Sequence, residues 1–193
     1  MSRVGVFRRL AALYARMQAE YDRAAAAAPG FTCAGCPQNC CVSFFQHHTY
    51  VEWAYLWQGM QELPAEQREA FLDRARDYLD AARAALARGE TPAAMCPLNE
   101  EGRCGMYAHR LMICRLHGVP HVLAAPGRPR REYPGCWRHD AAAPGPAPLL
   151  LDRTPLYRDL AALERDFLGA RAGRLPRVDL TLAEMLVQGP PGI

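Results

Sequence analysis

Eight cysteines carry the chemistry this sequence can offer: Cys33, Cys36, Cys40, Cys41, Cys96, Cys104, Cys114 and Cys136. In Cys33-x-x-Cys36 the two intervening residues let a loop turn back, so both sulfurs can reach one metal. This is the half-site of zinc ribbons and of iron–sulfur proteins alike. A redox-active pair uses the same spacing, but here the motif follows a helical segment and lacks a βαβ setting. Cys40 and Cys41 are adjacent, and adjacent side chains diverge, so ligation of one mononuclear ion by both would strain the backbone. Either they serve two sites, or one ligates while the other packs nearby. At about 4% of the chain, cysteine is too sparse for a disulfide-stapled secreted scaffold. Arg8 and Arg9 interrupt the N-terminal stretch where an export signal needs its apolar run. A reducing, cytoplasmic setting is therefore expected, and there closely spaced cysteines bind metal more often than they form disulfides.

Other side chains near the cysteines weigh less. His47, His48, His109, His117, His121 and His139 are possible fourth ligands, and Cys114-x-x-His117 has suitable spacing. With eight thiols present, each histidine is the weaker candidate. Arg110 and Arg115 flank Cys114, where a guanidinium could offset thiolate charge and donate hydrogen bonds to sulfur. The competing reading is an ordinary ion pair with Glu100 or Glu101. Arg128, Arg130 and Arg131 read as solvated loop charge.

The elements that must position these groups are mainly helical. Phe7, Leu10, Tyr14, Met17 and Tyr21 recur at steps of three and four, which predicts a packing helix over 3–28, ended by Pro29-Gly30. Gly35, Pro37 and Asn39 make 33–41 a tight loop. Thr49 with Glu52 predicts a capping box opening a short helix, whose Trp53, Leu56, Trp57 and Met60 face the core. Pro64 suits a first helical position, and Phe71, Leu72, Ala75, Tyr78, Leu79, Ala82 and Leu86 predict a helix over 65–88 ended by Gly89. From 90 to 148 periodicity fades, and Gly and Pro punctuate the cysteines. Such a stretch needs another source of order, which metal ligation would supply. Residues 141–148 read as a linker. Leu156, Leu160, Leu163 and Phe167 predict a helix over 155–171, and Thr181 with Glu184 a second capping box.

The expected fold class is thus mainly α: a small helical domain, 1–193, with an irregular cysteine-rich middle over 33–136 organised by metal, and C-terminal helices over 155–193. Half of the residues are apolar and 22% charged, which excludes a disordered chain. No apolar run approaches the ~20 residues of a membrane span. A net charge of +3 argues for neither nucleic acid nor an anionic membrane as partner. All 23 basic residues are arginine, which excludes Schiff-base and P-loop chemistry. No Ser-His-Asp, GxGxxG, HExxH or paired-carboxylate pattern stands out.

The combined motifs are more specific than any part. Cys33-Ala-Gly-Cys36, the pair Cys40-Cys41, Cys96-Pro97, Gly102-Arg103-Cys104-Gly105-Met106-Tyr107, Arg110 and Cys114-Arg115 follow in order. In this the chain resembles the YkgJ-type cysteine-cluster proteins, also called the CxxCxxCC or zinc- or iron-chelating domain, from about 33 to 136. Three residues rather than two precede the cysteine pair, and Leu111 stands where the family has proline. The resemblance implies a bound metal centre of iron–sulfur type, with a role in electron transfer, metal handling or assistance to a modifying enzyme. On that reading a [4Fe–4S] cluster would use Cys33, Cys36, one of Cys40 and Cys41, and Cys114, and a protein or redox partner would follow. Structural zinc in Cys₄ sites is the alternative, because thiolates suit both metals. Catalysis ranks last: some longer relatives are described as lysine N-methylases, but little chain remains here for a cofactor domain.

Overall fold

The computed structural model describes residues 2–36, 39–125, 127–143 and 149–193. It is mainly α, as expected, with seven α-helices and five short strands among the described residues. Contacts divide the chain into two compact units, Met1–Cys36 with Met112–Phe167, and Pro37–Leu111 with Leu168–Ile193. Among the described residues no helix is long and apolar enough to cross a membrane.

The first unit is built on α1 (Arg3–Ala26), capped by the Ser2 hydroxyl, which accepts from Gly5 N–H at 3.2 Å. Its expected stripe is the buried one, with Phe7, Leu10, Tyr14 and Met17 inside. It ends two residues before the expected 28, because Ala27 already caps it and Ala28 N–H turns back to Ala25 at 3.0 Å. Along α1 lies α6 (Thr154–Leu168), with Leu156, Leu160 and Leu163 buried and Phe167 stacked on Phe7 at 5.8 Å. The helix expected to reach 171 gives way to a 3₁₀ turn at Gly169–Arg171. A three-stranded sheet completes the unit in the order β4-β3-β5: β3 (His121–Leu123) runs antiparallel to β4 (Arg131–Tyr133) and parallel to β5 (Leu151–Asp152). Two short helices, α4 (Met112–Arg115) and α5 (Trp137–Ala142), carry or follow cysteines. Part of the expected linker, Ala141 and Ala142, therefore closes α5, and 144–148 lie outside the described residues.

The second unit holds α2 (Tyr50–Glu62), α3 (Ala65–Ala87), α7 (Leu182–Val187) and a hairpin of β1 (Asn99–Glu100) and β2 (Arg103–Cys104). The tryptophans of α2 pack into the core as expected. Their indole N–H groups both donate to the Met185 carbonyl, Trp53 at 3.0 Å and Trp57 at 2.8 Å. The capping box forms at Thr181 but not at Thr49, whose hydroxyl instead donates to the Glu52 carboxylate at 2.9 Å. Pro64 is the N-cap of α3 rather than its first residue. On α3 it is Ala85, not the expected Leu86, that turns inward, and Leu86 is 54% exposed.

The middle segment departs most from expectation. Although periodicity fades there, Leu98, Met106, Leu111, Met112, Leu116, Val119 and Val122 are all buried, so 96–136 supplies core to both units. Its irregularity is one of short elements joined by turns. The hairpin turn places Glu101 at φ +50° and Gly102 at φ +86°, the two left-handed residues of a type I′ connection.

Candidate functional site

The two units divide the eight cysteines four and four: Cys33, Cys36, Cys114 and Cys136 in the first, Cys40, Cys41, Cys96 and Cys104 in the second. Of the ligand set expected for one cluster, Cys33, Cys36 and Cys114 thus belong to the first unit and Cys40 and Cys41 to the second. Among the described residues none of the eight is in a disulfide.

In the second unit the cysteines gather around the β1–β2 hairpin. Asn39 starts a 3₁₀ turn at Cys40–Val42, its side chain accepting from Cys41 N–H at 2.9 Å while its amide reaches the Gly102 carbonyl at 3.5 Å. The backbone then ties the cysteine pair to the hairpin, with Cys96 N–H donating to the Cys41 carbonyl at 2.9 Å. Cys104 pairs across the hairpin with Asn99, and Gly105 N–H returns to the Leu98 carbonyl at 2.7 Å. A Cβ at Gly105 would stand 2.5 Å from the Glu100 carboxylate and 2.6 Å from the Phe71 ring, so this corner closes only around glycine.

The thiols of this group are electrostatically distinct. Cys41 is lowered to about 6, first by a hydrogen bond with the Cys40 thiol; the Asn99 side chain and the Arg110 charge act in the same direction, against burial. Cys96 is pushed up to about 12 by burial, with Cys41 and Cys104 adding to the shift. At neutral pH one member is therefore a thiolate and another a buried thiol. Arg110 lies over the Tyr107 ring at 4.4 Å and contributes positive potential to Cys41. Glu100, one ion-pair partner considered for it, lies 3.8 Å from Arg74.

In the first unit Cys33 and Cys36 form a turn of their own, Cys36 N–H donating to the Cys33 carbonyl at 3.2 Å. Arg138 on α5 donates to the Ala34 carbonyl between them at 3.2 Å, and so ties this loop to the helix that Cys136 precedes. Cys136 N–H in turn bonds the Gly118 carbonyl at 2.9 Å, a few residues beyond Cys114 on α4. A Cβ at Gly118, where φ is +102°, would stand 3.7 Å from the Tyr21 hydroxyl and 3.9 Å from the Cys136 sulfur. Arg115 is buried over the Tyr14 ring at 4.1 Å, a cation–π contact within the core of this unit.

The histidines have contacts of their own. His47 is buried, edge-on to Phe45, and its backbone bridges to Leu180; His48 lies 3.3 Å from the Asp179 carboxylate. His109 packs on Tyr55, and His139 sits buried against Phe31. His121 stacks on Tyr133. His117 is partly buried, and burial with the Arg153 charge favours its neutral form.

The donor chemistry would suit a thiophilic metal: sulfur donors, one with a lowered pKa, and a nearby guanidinium. The placement is looser than the chemistry, because among the described residues no three His, Cys, Asp or Glu side chains converge closely enough to hold a metal ion. Asn39 and Asn99 were not legible as part of the group. Asn39 could have been read as an Asx turn ahead of Cys41; Asn99 carried no signal beyond its place near Cys96. Compared with known proteins, the chain matches no family model, no curated protein and no solved structure.

Proposed function

We propose that this chain binds metal through cysteine thiolates, as an iron–sulfur protein with a redox, metal-handling or enzyme-accessory role in a reducing compartment, and that it is a divergent relative of the YkgJ-type proteins it resembles. The observation that supports this best is the gathering of Cys40, Cys41, Cys96 and Cys104 around one hairpin, with Cys41 ionised at neutral pH. Four cysteines in each unit match the donor count of one thiolate centre apiece. Loading requires the thiols to lose protons, so it should release protons and slow as pH falls. The same count favours one second reading, two closed Cys₄ zinc sites.

Anaerobic purification with iron, zinc and acid-labile sulfide assayed on one sample separates these readings. Brown protein with matching iron and sulfide, bleached by dithionite, is the expected result. Colourless protein carrying only zinc selects the zinc reading. Protein that takes up neither metal, even on reconstitution with iron and sulfide, overturns both. Within a loaded protein, Cys96→Ser and Cys33→Ser should each lower the metal content; two variants at wild-type content would mean that the ligands lie elsewhere.

A further inference from the structure

Arg153 lies between β5 and α6, and only 8% of it is exposed. Its backbone N–H donates to the Val122 carbonyl at 3.0 Å, which fixes it against the sheet. Its guanidinium donates to the Leu116 carbonyl, while its Nε is buried with no hydrogen-bond partner. No carboxylate pairs with it among the described residues, where the ion pairs of this unit occupy other arginines. The segments outside the described residues contain no Asp or Glu. Arginine does not discharge at accessible pH, and a buried cation without a counter-charge is costly. Burial lowers the Arg153 pKa, and the Tyr157 phenol offsets this only in part.

The guanidinium also has a hydrogen bond with the Tyr157 phenol, and two imidazoles feel its charge. His121 stacks on Tyr133 at 4.8 Å in the cross-strand pair of β3 and β4. His117 and His121 both feel the Arg153 charge, which adds to burial in favouring their neutral forms. His117, His121 and Tyr157 are each partly exposed, while Arg153 itself is buried.

We propose that Arg153, His117, His121 and Tyr157 form a binding site for the phosphate group of a small molecule. The site lacks one negative charge, and an oxyanion supplies it. The guanidinium already serves Leu116 and Tyr157, so a planar carboxylate has less of the fork to pair with, whereas a phosphate can take donors from several directions. The site is independent of the cysteines and stands or falls without them.

The test is an NMR titration of the full chain with inorganic phosphate, following the Arg153 Nε–Hε and His121 ring resonances. Acetate and chloride at matched ionic strength are the comparison arms. A saturable shift with phosphate is expected, at least tenfold weaker with acetate and absent with chloride. Arg153→Gln retains an amide donor for Leu116 and should abolish saturation. If that variant fails to fold, His121→Phe, which keeps a ring against Tyr133, should weaken phosphate binding at least threefold in a folded protein. No saturable shift by 50 mM phosphate, equal shifts with phosphate and acetate, or unchanged binding in His121→Phe would each overturn the assignment.

Discussion

His47 makes acid sensitivity a measurable property of the second unit. It is 2% exposed, and burial, reinforced by the charge of His48, lowers its pKa from 6.5 to about 3. In the unfolded chain the same imidazole takes up its proton near 6.5. Between those values the unfolded state binds the extra proton, so stability is intact above the unfolded value and falls as pH drops through it. At pH 5, about 1.5 units below the unfolded value, the loss is about 2 kcal/mol at roughly 1.4 kcal/mol per unit. For a chain of this size that is a fall of about 4–8 °C in Tm. The perturbation is His47→Leu, which is neutral at every pH and sacrifices no hydrogen bond of Nε2, an atom buried without a partner. Melting both proteins by circular dichroism at pH 8 and pH 5 isolates the effect. His117 and His121, lowered by burial in the same sense, are present in both and cancel. The variant should lose about 2 kcal/mol less than wild type between the two pH values. Equal losses, or a His47 resonance that titrates near 6.5 in the folded protein, would refute the reasoning.

Three further outcomes follow from the same structure. In metal-free protein at pH 7, Cys41 should alkylate faster than Cys96 by at least tenfold, as read by peptide mass spectrometry; Asn99→Ala should slow Cys41, and comparable rates for Cys41 and Cys96 would contradict their opposite environments. Gly105→Ala should cost about 1–3 kcal/mol by overpacking against Glu100 and Phe71, measured by urea unfolding, and a neutral effect would mean that the hairpin corner gives way freely. Hydrogen exchange of metal-free protein should find protection persisting around Leu111, Met112 and Leu116, because these side chains are buried in apolar core; collapse of that protection on metal removal would restore the view that ligation alone orders the segment.

The long helices were legible because each repeats one signal many times. In α1 a single stripe of Phe7, Leu10, Tyr14 and Met17 outvotes local ambiguity, and only its end at Ala26 was misplaced. Helix α3 shows the limit of the same signal: the stripe drifts over 23 residues, so Ala85 takes the inward position that Leu86 was expected to fill. The middle segment was illegible for the opposite reason. Its elements are two to six residues long, too short to repeat a period, and its buried residues arrive singly, as Leu98, Met106 and Val119 do.

The same contrast governs the site. Cys33, Cys36, Cys40 and Cys41 invite reading as one cluster because they lie within nine positions. Cys41 also takes a backbone partner from Cys96, 55 residues on, and Arg138 anchors the turn of Cys33 and Cys36 through Ala34, 104 residues away. Spacing along the chain reports which thiols could share a turn; the Cys96 N–H to Cys41 carbonyl bond and the Glu101-Gly102 turn determine which of them meet. Both of those features depend on backbone geometry with almost no compositional trace, since Glu101 is an atypical residue for a left-handed position and a backbone hydrogen bond has no residue preference. The thiols were therefore readable from residue types, and the backbone contacts that hold each of them were not.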